Sequence, residues 1–299
     1  MILLVTGAFG GAKNNIDASR KLGHTVYFLQ NEKDELSCDY SLIEGVICNG
    51  LFLYHDIDKF TNLKFIQLTS AGFDRVPMDR VTKRGIKIFN ARGVYGKPIA
   101  EFAVGGVLTL YKKSRELYEN QKLCKWEKQR DLLELAGKTV LIVGCGDVGT
   151  ECAKRFKAFE CNVIGVDIAP YKNEYFSEMV CLSDMDEKLA VADIVVLTLP
   201  LTEESEGLFN SDKFEKMKDG AVIVNVARGA IVEENALIAA LKNKLLGAVI
   251  DVFNKEPLFK NDPLWKIENV IVTPHNSFVG DGNEERLMKV ITANLKAFL

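Results

Sequence analysis

The sequence predicts an α/β protein built from two doubly wound parallel-sheet domains, on three observations. Short apolar runs rich in β-branched residues alternate along the chain with stretches whose apolar residues recur at helical spacing. One such run leads into the glycine cluster Val143-Gly144-Cys145-Gly146-Asp147-Val148-Gly149, which opens a helical stretch. The chain has 299 residues, more than a single hydrophobic core usually serves, so two domains of roughly 100–200 residues each are expected.

In chain order, the first third predicts strands at Ile2–Val5, Thr25–Leu29, Val46–Cys48, Lys64–Leu68 and Ile86–Phe89. Between the first two, Ile16, Ser19, Arg20 and Leu22 predict a modest helix. Over Pro98–Tyr118, Ile99, Phe102, Ala103, Val107, Leu110, Tyr111 and Leu117 recur at helical spacing and predict one long helix leaving the first domain. Further strands are predicted at Thr139–Val143, Asn162–Val166, Ile194–Leu199, Ala221–Val226, Gly247–Ile250 and Val270–Val272. Each is short and apolar, as buried parallel strands are. Between these, Cys152, Ala153, Phe156 and Phe159 form an inward helix face. A last helix, Glu284 to Phe298, carries Leu287, Val290, Ile291, Asn294 and Leu295 on one side and is expected to pack on the first domain.

Composition narrows the partners. A formal net charge of −3 gives no electrostatic reason to expect nucleic acid or an anionic membrane. The basic residues of 112–130 are interleaved with Glu116, Glu119 and Glu127, the pattern of a solvated helix face. Seven cysteines without a Cys-x-x-Cys pair fit a reducing cytoplasm, and three scattered histidines predict no metal site. The first residues lack a basic segment and a long apolar run, and no stretch approaches a membrane span. An unexported cytoplasmic chain acting on a small molecule is expected.

Gly144-x-Gly146-x-x-Gly149 lies between a strand and a helix, the setting in which glycines serve a bound dinucleotide. The first permits a tight turn, the second lets the backbone approach a pyrophosphate, and the third lets helix and strand pack closely. The helix N-terminus adds amide donors at Asp147, Val148 and Gly149. Asp167 ends the next strand, placed to accept hydrogen bonds from ribose hydroxyls. Its charge opposes a 2′-phosphate, and Ile168-Ala169-Pro170 supplies no arginine, so NAD is expected over NADP. A second cluster, Thr6-Gly7-Ala8-Phe9-Gly10-Gly11, with Tyr118 and Lys122, superficially matches short-chain dehydrogenases, but its glycine spacing differs, and a loop after the first strand is expected.

Three polar residues sit in distinctive settings: Arg228 in Asn225-Val226-Ala227-Arg228-Gly229, Glu256 in the segment Asp251 to Pro257, and His275 in Thr273-Pro274-His275. A guanidinium can hold a carboxylate, an imidazole can exchange a proton, and a carboxylate can tune that imidazole. Over nearly its whole length the chain resembles the D-isomer-specific 2-hydroxyacid dehydrogenases. Pro200-Leu201-Thr202, Asn90-Ala91-Arg92-Gly93 and Ala100-Glu101 also fit their pattern.

The resemblance implies an NAD-dependent oxidoreductase acting between a D-2-hydroxy acid and its 2-oxo acid, of the phosphoglycerate dehydrogenase or glyoxylate-hydroxypyruvate reductase kind. It implies that Arg228 binds the substrate carboxylate and His275 is the acid/base. Glu256 would hydrogen-bond His275, orient it and favour its protonated form. Backbone amides of Ser70, Ala71 and Gly72 would meet the substrate carboxylate. Asp251 would contact the nicotinamide carboxamide, with further cofactor contacts at Leu199, Pro200, Val226 and Ala227. Thr198-Leu199-Pro200 departs from the histidine many members carry before Pro-Leu-Thr. Glu256 stands where formate dehydrogenases have glutamine. Arg75 and Arg92 receive no role.

The implied architecture is a discontinuous flavodoxin-like substrate domain, 1–96 with 278–299, and a Rossmann NAD-binding domain, 97–277. The ligand crevice is expected at the carboxyl ends of the strands between them, with domain closure excluding water. A homodimer is implied through the NAD domains. The alternative is an NAD(H)-sensing binding protein of the corepressor kind on the same fold.

Overall fold

The computed structural model describes residues 1–298 and divides into two compact units, one comprising Met1–Tyr95 with the segment from Gly280, the other Gly96–Val279. In the first, β1 (Ile2–Thr6), α1 (Ala12–Lys21), β2 (Thr25–Leu29), β3 (Gly45–Cys48), β4 (Phe65–Leu68), α2 (Met78–Lys83) and β5 (Lys87–Phe89) follow in sequence. The five strands are all parallel, in the order β2-β1-β3-β4-β5. This is the flavodoxin-like order, whose reversal beside β1 opens a crevice at the strands' carboxyl ends.

Side-chain alternation splits the core between the two faces of this sheet. Leu4, Val46, Cys48, Ile66 and Leu68 face one cluster, while Leu3, Val5, Ile47 and Phe65 face the other. The terminal helix of the described chain, which becomes α9 in sequence order, covers the second face.

The second unit runs through α3 (Gly96–Tyr111), α4 (Ser114–Lys122), β6 (Thr139–Val143), α5 (Asp147–Ala158), β7 (Asn162–Asp167), β8 (Glu178–Cys181), α6 (Met185–Leu189), β9 (Ile194–Leu197), α7 (Ser211–Lys216), β10 (Val222–Asn225), α8 (Glu234–Asn243), β11 (Gly247–Ile250) and β12 (Val270–Val272). Its seven strands are parallel in the order β12-β11-β10-β9-β6-β7-β8. After β8 the chain crosses back to place β9 beside β6, and this reversal of strand order is the Rossmann switch point. In the first unit, α9 (Asn283–Phe298) places Leu287, Ile291 and Leu295, one turn apart, against Leu3, Val5 and Phe65. Each such burial contributes about 1.5–3 kcal/mol. Asn294 Nδ2 donates to the Oε1 of buried Gln67 at 2.7 Å, so the polar group in this face is satisfied.

The structure corrects several sequence expectations. The single helix over 98–118 is two. Tyr111 is the last buried residue, Lys113 takes a left-handed φ of 48°, and α4 buries nothing that would continue the axis. The strands expected to reach Leu199 and Val226 leave their ladders at Leu197 and Asn225, where the chain turns into the loops described next. Phe159 lies beyond α5 and is exposed rather than inward. β8, an edge strand with a polar, half-exposed sequence, carries no apolar alternation to announce it.

Candidate active site

Three neighbouring strands bring the polar residues of the second unit together. Arg228 stands three residues beyond β10, Asp251 directly follows β11, and His275 lies three residues beyond β12. Because these strands are adjacent and parallel, all three loops emerge at the same sheet edge.

His275 Nδ1 lies 2.8 Å from Glu256 Oε2, and the other carboxylate oxygen of Glu256 accepts the Phe253 N–H at 3.0 Å. The imidazole thus presents Nε2 outward, with its ring set edge-on to Phe278 at 5.9 Å. Both His275 and Glu256 are about one-third exposed. His275 holds a left-handed backbone, φ 50°, a conformation that costs a non-glycine residue on the order of 1 kcal/mol. Its own N–H donates to the Asp251 carbonyl at 2.8 Å, which helps to hold that turn.

Asp251 accounts for the rest of the turn. Its Oδ1 accepts the Thr273 hydroxyl at 2.7 Å and the Asn276 N–H at 2.8 Å, and its Oδ2 accepts the Ser277 N–H at 2.9 Å. The residue is fully buried. Oδ2, with a single donor, retains acceptor capacity. Three donors meet this carboxylate, which serves as the cap of the loop carrying His275.

The loop at Arg228 is pinned by Asn225. The Asn225 Oδ1 accepts the Ala227 N–H at 3.1 Å, and its Nδ2 donates to the Arg228 carbonyl at 3.0 Å. Gly229 then passes so close to the next loop that a Cβ there would lie 2.0 Å from the Phe253 carbonyl carbon. Only glycine permits this approach, which joins the Arg228 loop to the segment ending at Glu256. Arg228 is half-buried, its Nη1 donating to the Ala227 carbonyl at 2.8 Å.

The glycine cluster occupies the β6–α5 turn. Gly144, at φ 95°, abuts the Leu199 backbone, where a Cβ would meet atoms at 2.6 Å, and a Cβ on Gly149 would meet the Gly144 carbonyl at 2.1 Å. Over Gly146 nothing lies within 4 Å of where a Cβ would stand. Two glycines thus close the turn and the third leaves backbone bare beside the first-turn amides of α5, which fits a pyrophosphate. Asp167 Oδ2 accepts the Cys145 N–H at 2.8 Å and Oδ1 the Ala169 N–H at 3.1 Å. Each oxygen retains acceptor capacity for a ribose hydroxyl. Burial, and then Asp167 beside it, push the Cys145 thiol up to about 12, so it stays neutral beneath the loop.

Sequence reasoning missed Thr198 and Tyr171. The Thr198 hydroxyl donates to the Gly144 carbonyl at 2.6 Å, and the Tyr171 hydroxyl to the Cys145 carbonyl at 2.7 Å, so both brace the turn. Tyr171 lies in no motif and Thr198 stands only as a departure from one, and the return of distant loops brings both there. Leu199 packs on the turn, Pro200 is exposed beside it, and Val226 and Ala227 are buried under the Arg228 loop. In the first unit, Ser70, Ala71 and Gly72 follow β4. The Ser70 hydroxyl donates to the Gly72 carbonyl at 3.2 Å and Asn90 Nδ2 to the Ala71 carbonyl at 2.7 Å. Among the described residues no group of three or more His, Cys, Asp or Glu is placed to hold a metal ion, and no helix is long and apolar enough to cross a membrane.

Residues 104–277 match the NAD binding domain of the D-isomer specific 2-hydroxyacid dehydrogenases. The chain belongs to this family. Over 223 residues it is 41% identical to a D-3-phosphoglycerate dehydrogenase of Archaeoglobus fulgidus, covering 73% of this chain and 42% of that protein. It thus spans less than half of that relative. A glyoxylate reductase of Thermofilum pendens is 35% identical over 250 residues, covering 81% of this chain and 74% of that protein. Among solved family structures, D-lactate dehydrogenase from Aquifex aeolicus, complexed with NAD and lactic acid, aligns with a TM-score of 0.82 at 25% identity, over 99% of this chain and 95% of the other. The matched residues fall within the second unit.

Proposed function

We propose that this protein is an NAD-dependent reductase of 2-oxo acids, running in reverse as a D-2-hydroxyacid dehydrogenase. The observation that carries the reading is the 2.8 Å pairing of His275 Nδ1 with Glu256, on a loop adjoining that of Arg228. NAD(H), held by the glycine turn and Asp167, would supply or accept the hydride at substrate C2. Arg228 holds the substrate carboxylate through paired N–H donors, a geometry that lysine lacks. His275 gives a proton from Nε2 to the carbonyl oxygen and recovers it in the oxidative direction. Glu256 accepts the Nδ1–H and so leaves Nε2 to carry the exchanged proton, and Asp251 holds the loop on which the imidazole stands. In the first unit, Ser70, Ala71 and Gly72 add backbone donors to the substrate.

Asp167 favours NAD over NADP by accepting from the ribose hydroxyls and repelling a 2′-phosphate. Leu199, Pro200, Val226 and Ala227 flank the cofactor at the ends of β9 and β10. The fit of the glycine turn and the two available acceptors on Asp167 support this assignment.

A homodimer in the cytoplasm completes the proposal. Trp126, 96% exposed, and Leu123 after α4 leave apolar surface for a second copy, and all seven cysteines are free, as in a reducing compartment. Light scattering should give twice the chain mass, and Trp126→Ser should shift the protein toward monomer.

The deciding experiment mixes purified protein and NADH with glyoxylate, hydroxypyruvate, pyruvate, 2-oxoisocaproate and phosphohydroxypyruvate and follows NADH loss. Turnover that Arg228→Ala impairs in both KM and kcat is expected. NADH binding without turnover of any acid would overturn the reductase reading in favour of an NAD(H) sensor.

A further inference from the structure

In the first unit, the end of the sheet holds a carboxylate that the proposed chemistry does not use. Glu32, three residues beyond β2, reaches across the sheet edge to the loop after β3. Its Oε1 accepts the Thr6 hydroxyl at 2.8 Å and the Asn49 N–H at 2.6 Å, and its Oε2 accepts the Gly50 N–H at 2.7 Å. Two successive backbone N–H groups after a strand form the kind of concavity that binds an anion. Here the chain fills it with its own anion.

The same corner is stitched twice more. His55 Nε2 lies 2.7 Å from the Glu32 carbonyl, and its Nδ1 lies 2.9 Å from the Tyr40 hydroxyl. Loop 49–55 is thereby held at both ends, with Leu53 (60%) and Tyr54 (61%) exposed between the anchors. The segment after β4 lies alongside it. A Cβ on Gly50 would stand 3.4 Å from Arg75 Cδ and 3.5 Å from Glu32 Oε2, so the Arg75 stem and the Glu32 carboxylate flank one point. Burial, and then Glu32, push the Cys48 thiol up, which agrees with negative potential in this corner.

We infer that Glu32 is a specificity-determining residue that restricts the substrate to 2-oxo acids whose only anionic group is their carboxylate. The inference rests on the reading that Ser70, Ala71 and Gly72 meet that carboxylate. These residues follow β4, and the Asn49–Gly50 loop follows β3, the adjoining strand about 5 Å away. A substituent on C2 that extends toward β3 meets the Glu32 carboxylate and the apolar faces of Leu53 and Tyr54. The amides that could have received a second phosphate or carboxylate are already engaged by Glu32. A phosphate dianion about 6 Å from Glu32 is penalised by roughly 10- to 100-fold in kcat/KM at the effective dielectric of about 40–80 that a solvated surface site provides.

Hydroxypyruvate and phosphohydroxypyruvate differ only by the phosphate, so their kcat/KM ratio on the full chain reads the effect directly. The ratio is expected to favour hydroxypyruvate by at least about tenfold. Glu32→Gln should narrow it by about tenfold, through a lower KM for the phosphorylated acid, with the Kd for NADH unchanged. A wild-type preference for phosphohydroxypyruvate that Arg75→Ala abolishes would overturn the inference and make Arg75 a phosphate anchor. A Glu32→Gln variant that loses activity equally on both acids would reduce Glu32 to a structural strut. Should that variant not fold, salt decides: raising ionic strength from about 0.02 M to about 0.5 M screens a repulsion and narrows the wild-type ratio. An unchanged ratio refutes it. Turnover of neither acid by NADH-binding protein would sink the reductase reading itself, a distinguishable failure.

Discussion

Glu256 and His275, nineteen residues apart in the chain, meet at 2.8 Å through one carboxylate oxygen and Nδ1, leaving Nε2 outward. The pairing sets tautomer and ring direction together. His275→Ala should lower kcat by about 10²- to 10⁴-fold, the usual worth of a positioned acid, while leaving NADH affinity intact. Glu256→Gln should lower kcat less and change the pH profile of kcat/KM. Near-normal turnover in His275→Ala would exclude the histidine as the acid.

Asp251 is a positioning residue for that histidine. Asp251→Ala leaves the Thr273 hydroxyl and the amides of Asn276 and Ser277 without their acceptor, at a cost of about 2–4 kcal/mol. Chemical denaturation should show that loss, and single-turnover rates should fall with it. A variant as stable as the parent would show that the loop does not depend on this carboxylate.

Gly229→Ala tests the junction between the Arg228 and Glu256 loops. A methyl group 2.0 Å from the Phe253 carbonyl carbon forces the two loops apart, costing about 1–3 kcal/mol in overpacking. Turnover should drop more than NADH binding. Unchanged KM and kcat would mean that the close approach has no catalytic consequence.

His24 makes stability depend on pH. The ring is 5% exposed, and its Nε2 has no hydrogen-bond partner among the described residues. Burial, and then the Met1 ammonium, hold its pKa below 6.5. Between the native value and 6.5 the unfolded chain binds a proton that the native chain refuses, so stability falls as pH drops below about 6.5. The slope from this group is at most about 1.4 kcal/mol per pH unit. Urea midpoints measured between about pH 7.5 and pH 5.5 should show the decline, and His24→Leu should flatten it. Equal slopes in both proteins would assign the decline to other groups.

Central strands were legible because burial on both faces demands continuous apolar runs, and Thr139–Val143 and Gly247–Ile250 stand where their patterns predict them. Loops were less so. The roles of Thr198, Tyr171 and Glu32 left no signal, because each acts on a segment that folding alone brings within reach. The break at Lys113 leaves no mark in the periodicity, which continues past it, whereas packing stops at Tyr111.

By itself the sequence determined the parallel α/β class, the glycine turn with Asp167, and the settings of Arg228, Glu256 and His275, because turn sterics and strand burial leave local signatures. Tertiary structure alone decided what Asp251 and Glu32 do. A carboxylate's role depends on which donors surround it, and those donors arrive from other strands. Asp251 is the cap of the His275 loop, and Glu32 is the anion lodged in the amides of Asn49 and Gly50.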